Sequence, residues 1–236
     1  MKSIFHPANE RGHADHGWLN ARHSFSFSSW YDPSKVHFGV LRVLNDDIVA
    51  AGTGFGMHPH KDMEIITILL EGELQHRDDM GNGSIIRKGD VQVMSAGTGV
   101  YHAEFNPSES AATNLFQLWI FPKENNITPR YDQKSFPLNG RKNRFQTIAS
   151  GIHRDEELYI HQDAVLSRCS MDTGTSLIYP IAVSGNGVYI IVISGAVSVG
   201  DQSAHNRDAV GIWDCDHVEL KATEDTELLI IEVPMR

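Results

Sequence analysis

Cysteine is scarce in this chain: there are two in 236 residues, Cys169 and Cys215. Two cannot build a disulfide framework, so both are expected as free thiols in a reducing compartment. Basic residues are also in short supply, 20 Lys and Arg against 30 Asp and Glu, for a formal charge of −10. Phosphate backbones need a clustered basic surface, and Arg141-Lys142-Asn143-Arg144 is too short to supply one, so no nucleic-acid partner is expected. No apolar run approaches the ~20 residues of a membrane helix, and the first residues lack an apolar leader core. The expectation is a cytoplasmic protein with no membrane partner. What is present is a 41% apolar fraction, enough for a real core and against wholesale disorder.

The apolar residues read as strands. Val40–Leu44 runs into Asn45-Asp46-Asp47, a turn signal, and Ile65–Leu70 is a β-branched run ending at Glu71-Gly72. Glu73–Arg77, a turn at Asp79–Gly83, Ser84–Arg87, Val91–Met94 and Leu115–Phe121 follow, the last stopped by Pro122. Short strands at this spacing predict an all-β barrel or sandwich. Helical periodicity surfaces only weakly, around Gln162 to Arg168.

The pattern then repeats. Val188–Gly195 resembles Ile65–Gly72, Arg207–Ile212 resembles Lys88–Val93, and a last strand ends at Pro234 as Phe121 ends at Pro122. An internal duplication with one barrel per half follows. The expected division is residues 1–125, a linker at 126–150 rich in Asn, Pro and basic residues, and residues 151–236.

Chemistry concentrates in two pairs, His58-Pro59-His60 and His102-Ala103-Glu104. On a strand, i and i+2 share a face, so neighbouring strands could aim three imidazoles and one carboxylate at one point. Such a set suits a borderline divalent metal. His-x-His alone is more often structural, but Gly52, Gly72, Gly89 and Gly99 frame these pairs. His13 and His16 lack a third ligand nearby and are expected to be hydrogen-bonded packing residues; His76 is expected at the surface. Phe25, Phe27 and Phe55 could line an aromatic pocket, although alternation with Ser24 and Ser26 also describes plain core. Gly52, Gly54 and Gly56 precede a strand instead of a helix, which excludes a phosphate loop and suggests close backbone approach.

These residues resemble the cupin superfamily, whose first motif is Gly, five residues, His-x-His, three or four residues, Glu, six residues, Gly. Gly52, His58, His60 and Gly72 match, but the Glu position falls on Ile65, and Glu64 is one residue off. A one-residue shift turns a side chain to the opposite face, so Glu64 is not expected as a ligand. The second motif is matched by Gly89, Gly97-Thr98-Gly99, His102 and Asn106, and Glu104 can replace the missing carboxylate. With Arg11–Leu19, His23–Phe27, Tyr31-Asp32-Pro33 and Ile127–Tyr131, the chain resembles the pirins and pirin-like bicupins over nearly its whole length.

The resemblance implies two stacked jelly-roll barrels, with metal in the first only. Offsets from Gly195 matching those of His58 and His60 from Gly72 land on Ile181 and Val183, expected to face an apolar second interior. His217-x-Glu219 there is expected on a solvated face. The implied ligands are His58, His60, His102 and Glu104, around one divalent ion per chain. Fe(II) is the first choice, with Mn, Ni, Co, Cu or Zn compatible. Bacterial members resemble quercetin 2,3-dioxygenases, which open a flavonol ring with O2 and release CO, with Glu104 as the proton acceptor. The competing implication is a metal-dependent protein that binds a transcriptional regulator.

Overall fold

A computed structural model describes residues 1–152 and 156–235. Among them are strands, two short 3-10 turns and no α-helix, and no helix long and apolar enough to cross a membrane. Val165–Met171, where the helical period surfaced, is a strand buried along nearly its whole length. Burial on both faces erases the alternation that would have marked it.

The strands form four sheets. In the first half a seven-stranded sheet runs Arg130–Ser135, Asp90–Ser95, Glu64–Glu71, Thr113–Ile120, Leu41–Val49, Leu19–His23, Gly12–Asp15. A four-stranded sheet runs Gly54–His60, Val100–Phe105, Glu73–Asp78, Gly83–Arg87. The second half repeats the plan. Asn186–Ser194 lies between Ala209–Trp213 and Thr226–Pro234, as Glu64–Glu71 lies between Asp90–Ser95 and Thr113–Ile120. Both leading strands end at a left-handed glycine, Gly72 at φ +80° and Gly195 at φ +85°. This is the duplicated all-β bicupin.

One core joins the halves. Ile66, Ile68, Phe116 and Leu118 of the first large sheet pack with Tyr189, Ile191, Leu229 and Ile231 of the second. The alternate residues of the same strands face the barrel interiors. There the halves differ. The second interior holds a single apolar cluster that includes Val188, Ile190, Val210 and Leu228. The first is split into two, one around Leu69, Leu74 and Leu115 and one around Ile65, Met94 and Val100. Polar side chains fill the gap between them.

Three boundaries differ from the sequence reading. Leu41–Val49 continues through Asn45-Asp46-Asp47: Asn45 bonds His23 and Asp46 pairs with Arg11 and Arg207, while Asp47 is buried with its Oδ1 unpartnered. The segment expected as a linker, 126–150, contributes a strand to each half, Arg130–Ser135 against Asp90–Ser95 and Gln146–Ser150 against Val165–Met171. Lys2–His6, expected within the first domain, pairs with Ala209–Trp213 and covers the edge of the second large sheet.

Candidate metal centre

The strand Gly54–His60 lies against Val100–Phe105 so that His102 faces His58 and Glu104 faces Phe55. Gly56 and Met57 stand opposite Ala103 alone, a bulge that re-aims the histidines. Gly54 is required by contact: a Cβ there would sit 2.2 Å from the Glu104 carbonyl oxygen. Asn106, the last residue of the second motif, clamps this end of the barrel by donating to the carbonyls of Val49, Ala50 and Ala111.

The structure brings His58, His60 and His102 together, with ligating nitrogens within 4.8 Å of one another. Their ring centroids are 4.4 to 4.9 Å apart. His58 Nδ1–H donates to the Gly56 carbonyl at 2.8 Å, which leaves Nε2 as the lone-pair nitrogen. His60 Nε2 and both ring nitrogens of His102 are buried without a hydrogen-bond partner. Burial, and then the neighbouring His58, lowers the His60 pKa to about 4; burial and the facing histidines lower that of His102 to about 2. Neutral imidazoles with bare nitrogens are costly to bury unless something electrophilic meets them. Nitrogens bound to one zinc-like ion lie about 2.0–2.1 Å from it, so this cluster needs only a small contraction to hold a cation. The residues therefore fit a metal.

Glu104 is fully enclosed and points between the sheets. Its carboxylate accepts from Gln117 Nε2 at 2.8 Å and is approached by Thr67 Oγ1 at 3.5 Å. Burial raises its pKa, against the hydrogen bond from Gln117. It groups with His102 and with His76, not with His58 and His60, so the four expected ligands divide between two overlapping clusters. Glu64 faces the other way, toward the second half, where it accepts from Ser95 Oγ and the backbone N–H of His161.

His76 was expected at the surface and is completely buried. Its strand buries alternate residues, so His76 follows Leu74 inward and pairs in register with Glu104. The period-two pattern Leu74-x-His76 was the signal for this. His13 and His16, expected as packed, are exposed on and beside the outermost strand of the first large sheet. His217 and Glu219 are solvent-facing as expected. Ile181 packs against the second interior, whereas Val183 lies in the following turn, partly exposed, where its N–H donates to Glu232. Cys169 and Cys215 are free thiols.

A cavity of about 300 Å³ is lined by Trp18, His23, Phe27 and Phe55, not by His58, His60 or His102, and aromatic rings connect it to them. The Phe55 ring is 6.4 Å from His58, and Phe27 reaches His60 through Trp119, with centroid steps of 5.4 and 4.9 Å. Phe25 instead belongs to the core between the halves. A larger cavity, about 570 Å³, lies between the halves, away from the histidines, and its arginines are engaged by Glu227 and Asp46.

Asp47 shares this interior. Burial, then the charges of Asp46 and Glu104, push its carboxyl up to about 8, and its Oδ1 has no partner. Folded Asp47 therefore holds a proton that the unfolded chain, with the ordinary value of 3.8, has already released. Stability should fall as pH rises from about 4 to about 8 and level off above, at most about 1.4 kcal/mol per pH unit. Metal-free Asp47→Asn should lack this slope. Melting curves from pH 5 to 9 should show its advantage over wild type growing with pH up to about 8; parallel curves would contradict the assignment.

Comparison with known proteins agrees with the fold. Residues 4–120 match the Pirin family model, and residues 147–233 match that of the quercetinase C-terminal cupin domain. The chain is 45% identical to quercetin 2,3-dioxygenase of Escherichia coli K12 over 96% of both chains. It is 42% identical to a pirin-like protein of Caulobacter vibrioides over 96% of this chain and 97% of that one. It also superposes on the crystal structure of the bacterial pirin YhhW from Escherichia coli in complex with nickel(II). There the TM-score is 0.93 and the identity 43%, covering 99% of each chain.

Proposed function

The chain belongs to the pirin family of bicupins, and on that premise we propose that it is a metal-dependent quercetin 2,3-dioxygenase that opens a flavonol ring with O2 and releases CO. The observation that carries the reading is the convergence of three imidazoles in the first barrel, with His60 Nε2 and both nitrogens of His102 buried without a partner.

His58, His60 and His102 would hold the ion, with Glu104 able to join them. A divalent ion of borderline softness would supply Lewis acidity toward the flavonol hydroxyl and a redox partner for O2. Fe(II) is the first choice and Ni, Mn, Co, Cu and Zn match the same donors. Phe27, Phe55 and Trp18 give flat apolar walls against which a flavonol can lie, and they exclude water. Glu104 takes the proton of the substrate hydroxyl, and the burial that raises its proton affinity makes it a stronger base than an exposed glutamate. Gln117 orients that carboxylate and is itself fixed by the indole N–H of Trp119, which donates to Gln117 Oε1.

The test is oxygen uptake with quercetin by untagged protein loaded in turn with Fe, Mn, Ni, Co and Cu. At least one form should consume O2 in step with CO release. Fully metalled protein that consumes none in any form would overturn the enzyme reading and favour a metal-dependent protein that binds a regulator.

A further inference from the structure

His76 is unused by this reading, yet it is built as a ligand. Its Nε2–H donates to Asp78 Oδ2 at 3.1 Å, and Asp78 is in turn fixed by the backbone N–H and side-chain amide of Asn82 at 2.9 and 2.8 Å. That hydrogen bond determines the tautomer: Nδ1 carries the lone pair. The ring lies flat on Tyr131, with centroids 4.6 Å apart, so it has no freedom to turn away. Nδ1 is buried without a hydrogen-bond partner. The ligating atoms of His76, His102 and Glu104 lie within 4.8 Å of one another, and all three residues are buried.

We propose that the first barrel has a second, inner position for its divalent cation, held by His76, His102 and Glu104. The proposal rests on the metal reading above and adds a place that the sequence motifs do not mark. His76 Nδ1 and the Glu104 carboxylate are acceptors and neither nitrogen of His102 has a partner, and a cation is a species that an imidazole nitrogen of each histidine and the carboxylate can meet together. The outer position has two half-buried ligands; all three ligands of the inner one are buried. The two positions share His102, and two dications so close repel strongly in a dry interior, so one ion occupies one position at a time. A catalytic ion must also be reached by substrate, and all three ligands of the inner site are buried. An ion at the inner site is therefore stored out of reach of substrate.

The decisive protein is His58→Ala/His60→Ala, which removes two outer ligands from a half-exposed strand and leaves the inner three. Titrated with Co(II) by calorimetry and visible absorption, it should bind one ion per chain, more weakly than wild type. Adding His76→Ala should abolish that binding. Anomalous scattering at the cobalt edge should place the ion between His76, His102 and Glu104. If the alanine pair fails to fold, His58→Gln/His60→Gln, of closer volume, carries the same test. A folded double variant that binds no Co(II), while wild type does, overturns the inner position and leaves the outer one standing. So does binding that survives the loss of His76. Wild-type protein that binds no Co(II) would instead overturn the metal reading itself.

Discussion

His102→Ala is expected to strip the metal and reduce flavonol-dependent O2 uptake to the metal-free baseline. His102 stands at the centre of the constellation: it groups with His58 and His60 on one side and with His76 and Glu104 on the other. Removing any other ligand leaves a three-residue set intact or nearly so; removing His102 breaks both. The substitution should not unfold the protein, because neither ring nitrogen of His102 makes a hydrogen bond that would be lost. What remains is a small cavity between strands held by their own ladder. Elemental analysis after dialysis, alongside the thermal melt, separates these effects. The expected result is a cooperative melt with little metal. Glu64→Gln is the control, since Glu64 bonds Ser95 and the His161 backbone on the opposite face, and it should keep its metal. A His102→Ala protein that retained a stoichiometric ion would show that His102 is not a ligand.

The duplication was legible because its markers are local. A β-branched run ending at a glycine is visible twice, and both glycines take the left-handed turn that favours the residue. The outer histidines were legible for the same reason, a fixed spacing inside glycine punctuation. What the sequence concealed is the polar interior between the two apolar clusters of the first barrel. Asn45-Asp46-Asp47 reads as a turn because acidic and amide residues ordinarily mark turns, yet here they are inside a strand. The partners of Asn45 and Asp46, namely His23, Arg11 and Arg207, come from distant segments, so no local rule could pair them. His76 was missed similarly: nothing near it in the chain announces Glu104 as its neighbour, although Leu74 two residues earlier marks the inward face. The strand exchange of Lys2–His6 into the second sheet is an edge-covering contact that only the assembled sheets can specify.

Glu104→Gln should keep most of the metal and lose roughly 10²–10⁴ in kcat, the usual worth of a positioned acid–base group. The amide matches the carboxylate in size, so the packing around a fully buried residue is preserved. One oxygen can still accept from Gln117, whose Nε2 is 2.8 Å from the present carboxylate. Three imidazoles remain for the ion. What disappears is the negative charge and the only acidic side chain among the proposed ligands. The sign of the pH dependence follows. Burial lifts the Glu104 pKa above the ordinary carboxylate value of 4.5, so the active, deprotonated form gains population as pH rises. Wild-type kcat should therefore climb through an acid limb, and that limb should vanish in Glu104→Gln, leaving a low, level profile. A merely structural glutamate would lower activity at every pH and keep the limb. Loss of the ion along with the activity would make Glu104 a ligand first. Full activity with full metal would remove it from the mechanism and leave the proton to another acceptor.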